Sequence, residues 1–314
     1  MDSFLFSLNV TMPVFLIILL GWLLMRTDLF TVPFTEAADK YVFRVALPLL
    51  LFQDIAATDL RQDFQLSFVL FCMLGTTAMF WGVYLGARLL LRDKSLVGAF
   101  AQGAARGSAA ILGVAFVENI YGDPGLTPLM IVAAVPLYNI YSVLILTLSA
   151  RDGSSGRGQV KRACLSVVKN PIILGILAGL PFSLFSIPIP AIADSVLTSV
   201  GSTATPIALL VVGAGFRAGD ALAKWRPALA AAGVKLVLLP LIFLPLAVWM
   251  GFAGSELIAI LIMVGSPTTV TCYIMAKNMG NDPVLSSNII VLATLLSSVT
   301  LTLWVFLLRQ LTLI

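Results

Sequence analysis

The sequence predicts an all-α polytopic membrane protein with ten transmembrane helices, arranged as two inverted five-helix repeats in which helices 4 and 9 are broken and cross. Three observations support this fold class. Hydrophobic residues make up 60% of the 314 residues and charged residues only 11%, whereas a soluble domain carries about a quarter charged residues. Charge-free runs long enough to span a bilayer recur along the chain. Related segments also recur at a nearly constant offset, close to half the chain length.

The charge-free runs define the spans, because a bilayer core about 30 Å thick needs roughly 20 helical residues. Residues 170–216 contain a single charge, Asp194, and are too long for one crossing. The stretch SIPIP at 186–190 is therefore expected to separate two helices. The predicted spans are 5–25, 36–56, 65–88, 95–119, 126–149, 166–185, 191–214, 226–250, 255–277 and 284–308.

Basic residues orient these spans, because loops facing the cytoplasm are enriched in Lys and Arg. With the N-terminus outside, thirteen basic residues fall in inner loops or at the inner ends of the spans, and two, Arg61 and Arg309, fall outside. Both termini are therefore predicted to face outward from the cytoplasmic membrane of a cell. The segment MDSFLFSLNV has no basic stretch before its apolar run, so it is expected to begin the first span and not a cleaved signal peptide.

An internal repeat divides the chain into a first repeat at 1–150, a cytoplasmic linker at 151–165 and a second repeat at 166–314. At an offset of 158, PVFLIILLG (13–21) matches PIILGILAG (171–179), and Pro48 matches Pro206. Both prolines are expected to act as hinges or kinks. Five helices per half is an odd number, so the second copy is inserted upside down. Inverted repeats are typical of secondary transporters, whose substrate sites lie near the midplane between discontinuous helices.

Helices 4 and 9 are equivalent in the repeat, and each carries residues that interrupt a helix near its middle. These stretches are GAARGSAAILG (103–113) and MVGSPTTVTCY (263–273). Glycine lowers the cost of leaving helical geometry, and proline removes a backbone donor. Backbone freed at that depth is tolerated only beside protein or a water-filled cavity, and half-helix N-termini offer amide donors to an anion. Both stretches are therefore expected to be unwound and to meet at the midplane.

Two of the basic residues within predicted spans are candidate functional residues. Arg106 lies about eleven residues into helix 4, where a charge costs roughly 2.5–3.5 kcal/mol on insertion scales and marks a candidate functional residue. Two interpretations stay open for it: binding an anion, or capping freed carbonyls of a neighbouring half-helix. Two interpretations also stay open for Lys235: its ammonium group adds positive potential to the same cavity, or its side chain extends (snorkels) toward the inner membrane surface.

The other candidates are polar or small residues in or beside the two interruptions. Asn139 follows a proline in mid-span, where an amide either bridges helices or faces a ligand. The complete candidate substrate-binding set is Gln102, Arg106, Gly107, Ser108, Tyr138, Asn139, Lys235, Ser266, Pro267, Thr268 and Thr269.

Several classes of function are disfavoured by what the chain lacks. It has no His, and its three Cys have no paired spacing, so neither a metal site nor a cofactor is expected. A cation antiporter needs a carboxylate where its ion binds, whereas the candidate cavity is positive. An intramembrane enzyme would need a nucleophile with a base or paired acids, and neither is present. The formal charge of +4 reflects membrane topology and not nucleic-acid binding.

Four segments carry a family resemblance over essentially the whole chain. In order and spacing, ARGSAAILG (105–113), PLYNIYSV (136–143), KLVLLP (235–240) and SPTTVTCYIMAKNMG (266–280) resemble the auxin efflux carrier family, which includes bacterial malonate-type carriers and plant PIN carriers. The resemblance implies a ten-helix scaffold-and-transport-domain fold like that of bile acid symporters and NhaA-like antiporters. It also implies an organic-anion substrate and a homodimer. By position, Arg106 to Ser108, Asn139 and Ser266 to Thr269 would line the site, with Lys235 nearby.

The predicted function is therefore a secondary carrier of a small organic anion in the lipid bilayer, working by elevator-type alternating access past a scaffold that includes helices 1, 2, 6 and 7. Two alternatives stay open. One is a Na⁺-coupled organic-anion symporter, in which hydroxyls, carbonyls and Asn139 hold the ion; H⁺ coupling is equally open. The other is a membrane sensor that binds an anion without moving it.

Overall fold

The computed structural model describes residues 2–56, 65–150, 165, 169–216 and 222–314, and across these residues it is helical, with no β-strand. Apart from Leu165, the predicted linker at 151–165 lies outside the described residues. The helices are α1 (Asp2–Arg26), α2 (Val32–Tyr41), α3 (Leu47–Ala56), α4 (Leu66–Leu90), α5 (Val97–Ala105), α6 (Ala109–Tyr121), α7 (Thr127–Ser149), α8 (Pro171–Phe185), α9 (Ala191–Gly201), α10 (Ala204–Ala214), α11 (Trp225–Gly233), α12 (Leu239–Trp249), α13 (Gly254–Gly265), α14 (Thr271–Asn278) and α15 (Pro283–Gln310).

The outer surface of this helical assembly is apolar, as expected of a multi-pass membrane protein. Leu89, Ile192 and Trp249 are each more than four-fifths exposed, and many other large apolar side chains are exposed in part. Such a surface suits contact with lipid. Among the described residues, five helices are long and apolar enough to cross a bilayer: Leu66–Leu90, Thr127–Ser149, Ala191–Ala214, Trp225–Trp249 and Pro283–Gln310.

The proline-rich stretch at 186–190 separates two helices, as predicted, because α8 ends at Phe185 and α9 begins at Ala191. The two prolines expected to be hinges also lie where helices are irregular. Pro48 follows a π-helical segment at Val42–Ala46, and Pro206 lies in the first turn of α10, just after a turn at residues 202–203.

Close backbone contacts join α1 to α10 and α3 to α8. A Cβ atom at Gly21 would lie 2.2 Å from the carbonyl oxygen of Leu210, and one at Gly179 would lie 2.7 Å from the carbonyl oxygen of Phe52. Gly179 lies 158 positions after Gly21, and Leu210 lies 158 positions after Phe52. The same contact is therefore made twice, at the offset found in the sequence repeat.

Replacing Gly213 by alanine is expected to destabilise the protein. The new Cβ would lie 1.9 Å from the carbonyl oxygen of Ile18, so the backbones of α1 and α10 would have to separate. Overpacking typically costs about 1–3 kcal/mol, and each kcal/mol lowers Tm by about 2–4 °C in a chain of 150–250 residues. Thermal unfolding in detergent measures the change. Gly233→Ala in α11 is the matched control, because no atom lies within 4 Å of the added Cβ. Equal Tm values for the two variants would contradict the close contact.

Candidate functional site

Two helices stop inside the molecule and restart a few residues later. The chain leaves helical geometry at residues 106–108, between α5 and α6, and at residues 266–270, between α13 and α14. Arg106 and Ser266, the residues that end the first half-helices, both have extended backbone conformations. Ser266 precedes Pro267, and helical geometry is disfavoured for a residue that precedes proline.

The two unwound segments lie against each other. Gly107 and Thr268 form an antiparallel bridge, and the backbone N–H of Ser108 donates to the carbonyl oxygen of Pro267 at 2.9 Å. The Thr268 hydroxyl donates to the carbonyl oxygen of Gly103 at 2.7 Å. Each segment therefore satisfies backbone groups that the other helix break leaves free, as burial requires. We call this meeting place the crossover, comprising residues 103–108 and 263–271.

The guanidinium of Arg106 is buried beside the crossover. Its Nη2 donates to Oδ1 of Asn139 at 2.8 Å, and its Nη1 donates to Sδ of Met275 at 3.1 Å and to Oγ of Ser142 at 3.4 Å. Arg106 is only 4% exposed. All three partners are neutral, and no carboxylate in the described part of the chain pairs with it. None of them is a backbone carbonyl, so these contacts do not support the carbonyl-capping interpretation of Arg106.

Asn139 is held in place by its own helix. Its Nδ2 donates to the carbonyl oxygen of Val135 at 2.9 Å, which leaves Oδ1 to accept from Arg106. Asn139 therefore bridges α7 to the first unwound segment. Met275 was not singled out from the sequence, because a methionine within an apolar helix carries no polar pattern. It also accepts a 3.4 Å contact from Nε2 of Gln102, whose Oε1 is buried and has no hydrogen-bond partner among the described residues.

Lys235, and not Arg106, caps the carbonyl oxygens that the helix breaks leave free. Its ammonium group donates to the carbonyl oxygens of Ala105 at 3.1 Å and of Met263 at 3.2 Å. The side chain is completely buried, so the alternative in which it snorkels toward the membrane surface is wrong. Tyr138 also donates to the carbonyl oxygen of Met263, at 2.9 Å.

The remaining candidates differ in their contacts. Ser266 is completely buried, and its Oγ has no hydrogen-bond partner among the residues that the structure covers. Thr269 contacts Thr271 through their hydroxyls at 3.4 Å. The fold thus gathers at the crossover two cations, a free hydroxyl and two half-helix N-termini, those of α6 and α14. Such groups suit an anionic ligand.

Comparisons with known proteins show which family the chain belongs to. The membrane transport protein family model matches residues 6–305. An uncharacterized transporter of Methanothermobacter thermautotrophicus is 25% identical over 307 residues, covering 96% of this chain and 98% of that protein. An uncharacterized transporter of Escherichia coli is 25% identical over 273 residues, covering 83% of this chain and 84% of that protein. A Rhizobium meliloti protein named "Putative malonate transporter" is 23% identical over 311 residues, 96% of each chain.

The family match includes both helix breaks and every candidate residue of the crossover. It confirms the resemblance found from the four sequence segments, and it confirms the expectation of a transporter in place of an enzyme. The chain belongs to the membrane transport protein family, that of the auxin efflux carriers.

Proposed function

We propose that this protein is a secondary transporter of a small organic anion, a carboxylate of malonate or auxin type, which binds at the crossover beside Arg106. The observation that carries the proposal is the buried guanidinium, which has no carboxylate partner within the described part of the chain. A buried charge is costly unless it is paired, and an anionic substrate supplies the missing charge. One of its present partners, the thioether of Met275, is a weak acceptor that a carboxylate oxygen would replace favourably.

The repeated glycine contacts support the inverted-repeat architecture of the proposal, with ten spans. A pseudo-twofold axis that exchanges the two halves would map the contact of Gly21 with Leu210 onto that of Gly179 with Phe52. In this arrangement α1 to α3 and α8 to α10 form the scaffold, and the helices that carry the crossover form the transport domain. Symmetry of this kind lets one site open alternately to either side.

A polar contact between α2 and α14 lies where the two proposed parts meet. Asp39 in α2 is buried, and its Oδ2 accepts from Nδ2 of Asn278 at 3.1 Å and pairs with Nζ of Lys277 at 3.5 Å. If α14 moves with the crossover while α2 remains in the scaffold, this contact breaks and reforms in each cycle. The proposal is completed by a homodimer in the cytoplasmic membrane with both termini outside.

Uptake by purified protein in proteoliposomes tests the proposed function. Radiolabelled malonate, other dicarboxylates and indole acids are supplied with and without Na⁺ or H⁺ gradients, and protein-free liposomes are the blank. We expect saturable uptake of at least one organic anion and none of a labelled organic cation. Binding without uptake would favour the membrane sensor, and uptake of the cation would contradict an anion carrier.

Replacing Asn139 by aspartate is expected to raise the half-saturation concentration of the transported anion at least about tenfold, equivalent to about 1.4 kcal/mol. Aspartate has the shape of asparagine, and its carboxylate would form a permanent ion pair with Arg106, 2.8 Å away, in competition with the substrate. The concentration dependence of uptake measures this change. Ser142→Ala is the control, because it removes only a 3.4 Å contact with the same guanidinium and adds no charge. An unchanged half-saturation concentration for Asn139→Asp would show that Arg106 does not bind the substrate.

A further inference from the structure

We propose that the ammonium group of Lys235 is a built-in cation that occupies the place of a coupling ion at the crossover, so that the carrier moves its anion without binding Na⁺ there. The inference rests on the proposed function and specifies how the same site is driven. It disfavours the Na⁺-coupled symporter that the sequence leaves open.

The place in question is the meeting point of two helix C-termini. The last carbonyls of an α-helix have no partner within the helix, and the C-terminal end carries about half a negative elementary charge. Ala105 is the last residue of α5, and Met263 lies in the last turn of α13. Two such ends repel each other inside a protein. In other secondary transporters, unwound carbonyls and half-helix C-termini of this kind coordinate Na⁺ or H⁺.

In this protein the carbonyls are already occupied by donors of the chain. Lys235 donates to the carbonyl oxygens of both Ala105 and Met263 and places its positive charge between the two helix ends. The hydroxyls of Thr268 and Tyr138 donate to carbonyl oxygens of the same two helices. A Na⁺ ion binds only through acceptor oxygens, so it would have to displace these N–H and O–H donors.

The local structure of two segments makes room for the lysine. Lys235 lies in a π-helical segment, Val234–Leu238, between α11 and α12, and such segments frequently occur at functional sites. Within this segment the carbonyl oxygen of Leu236 accepts from Nε1 of Trp304 at 2.9 Å, since Pro240, four residues later, has no N–H to donate. On the opposite side, a Cβ atom at Gly107 would lie 2.9 Å from Nζ of Lys235. A glycine at the crossover therefore provides the space that the ammonium group fills.

Thermal stability in detergent tests the proposal without depending on transport. Tm is measured in NaCl, methylammonium chloride and choline chloride at equal ionic strength. We expect the same Tm for the unmodified protein in all three salts. For Lys235→Ala we expect a lower Tm in choline, partly restored by Na⁺ or methylammonium, because a cation that binds only the folded state stabilises it. Lys94→Ala, which removes an exposed lysine, is the control and should show no salt-specific change.

Uptake measurements complete the test. The unmodified protein should transport its anion equally fast in Na⁺ and in choline media. In choline, the uptake rate of Lys235→Met should be at least about tenfold lower than that of the unmodified protein, equivalent to about 1.4 kcal/mol. Lys235→Arg, which keeps the charge, should retain more activity than Lys235→Met. Lys235→Met also replaces Lys235→Ala in the thermal comparison if the alanine variant does not fold.

Three results would overturn the inference: Na⁺-specific stabilisation of the unmodified protein, Na⁺-dependent uptake, or a position-235 variant that no cation stabilises. Failure of the proposed function looks different, because it would leave the cation-dependent Tm of the variant intact while no organic anion is transported. The two proposals can therefore fail separately.

Discussion

Replacing Arg106 by alanine is expected to reduce organic-anion uptake at least about 100-fold at subsaturating substrate. A hydrogen bond to a charged group contributes about 1.5–3 kcal/mol, and two such bonds from one guanidinium to a carboxylate amount to about 3 kcal/mol or more, or a factor of at least about 100. The buried position of Arg106 strengthens the effect, because water cannot replace the lost charge there. Initial rates of uptake into proteoliposomes, at matched protein incorporation, measure the loss.

Two further variants serve as controls for Arg106→Ala. Arg106→Lys keeps the charge and loses the two-pronged geometry, so its rate should fall between those of the unmodified protein and Arg106→Ala. Arg88→Ala removes an exposed arginine at the end of α4 and should leave uptake unchanged. Unchanged uptake and half-saturation for Arg106→Ala would show that the anion binds elsewhere. Tm in detergent, recorded for each variant, separates a lost site from a lost fold.

Replacing Gly107 by alanine is expected to reduce uptake at least about tenfold, the factor that corresponds to about 1.4 kcal/mol, by forcing the two unwound segments apart. The added Cβ would lie 2.3 Å from Oγ of Ser266 and 2.9 Å from Nζ of Lys235. Both distances are well below van der Waals contact, and overpacking of a dense interior typically costs about 1–3 kcal/mol. Because Lys235 would have to move, its bonds to both half-helices would weaken as well.

The chain offers both a control and a rescue for the Gly107 prediction. Gly86 lies in α4 with no atom within 4 Å of an added Cβ, so Gly86→Ala should transport normally. Adding Ser266→Ala to Gly107→Ala removes the closest clash and should restore part of the Tm that Gly107→Ala loses. Full activity of Gly107→Ala alone would show that the segments do not approach as closely as the bridge between Gly107 and Thr268 requires.

The breaks in the helices could be predicted because their causes are local. Glycines around Arg106, and a proline after Ser266, weaken helical geometry wherever the chain is placed. The same holds for the stretch at 186–190, where α8 ends and α9 begins. The candidate role of Arg106 was also visible, since a lone charge in an apolar segment is costly in any membrane fold.

The partners of the charged groups could not be predicted, because they come from distant parts of the chain. Arg106 bonds to Asn139, 33 positions away, and Lys235 bonds to Ala105, 130 positions away. From the sequence, Arg106 was expected either to bind an anion or to cap freed carbonyls, and Lys235 either to add positive potential to the cavity or to snorkel toward the inner surface. The structure assigns the carbonyls to Lys235 and leaves Arg106 among neutral side chains.

By itself, the sequence determined that this chain is helical, lies in a membrane and interrupts two of its helices around a buried arginine, because hydropathy and backbone preference depend on neighbouring residues. Only the tertiary structure decided that the two interruptions lie side by side and that Lys235 joins their helix ends. Hydrogen bonds and close packing depend on distances in space, and helices far apart in sequence bring those atoms within reach only when the chain has folded.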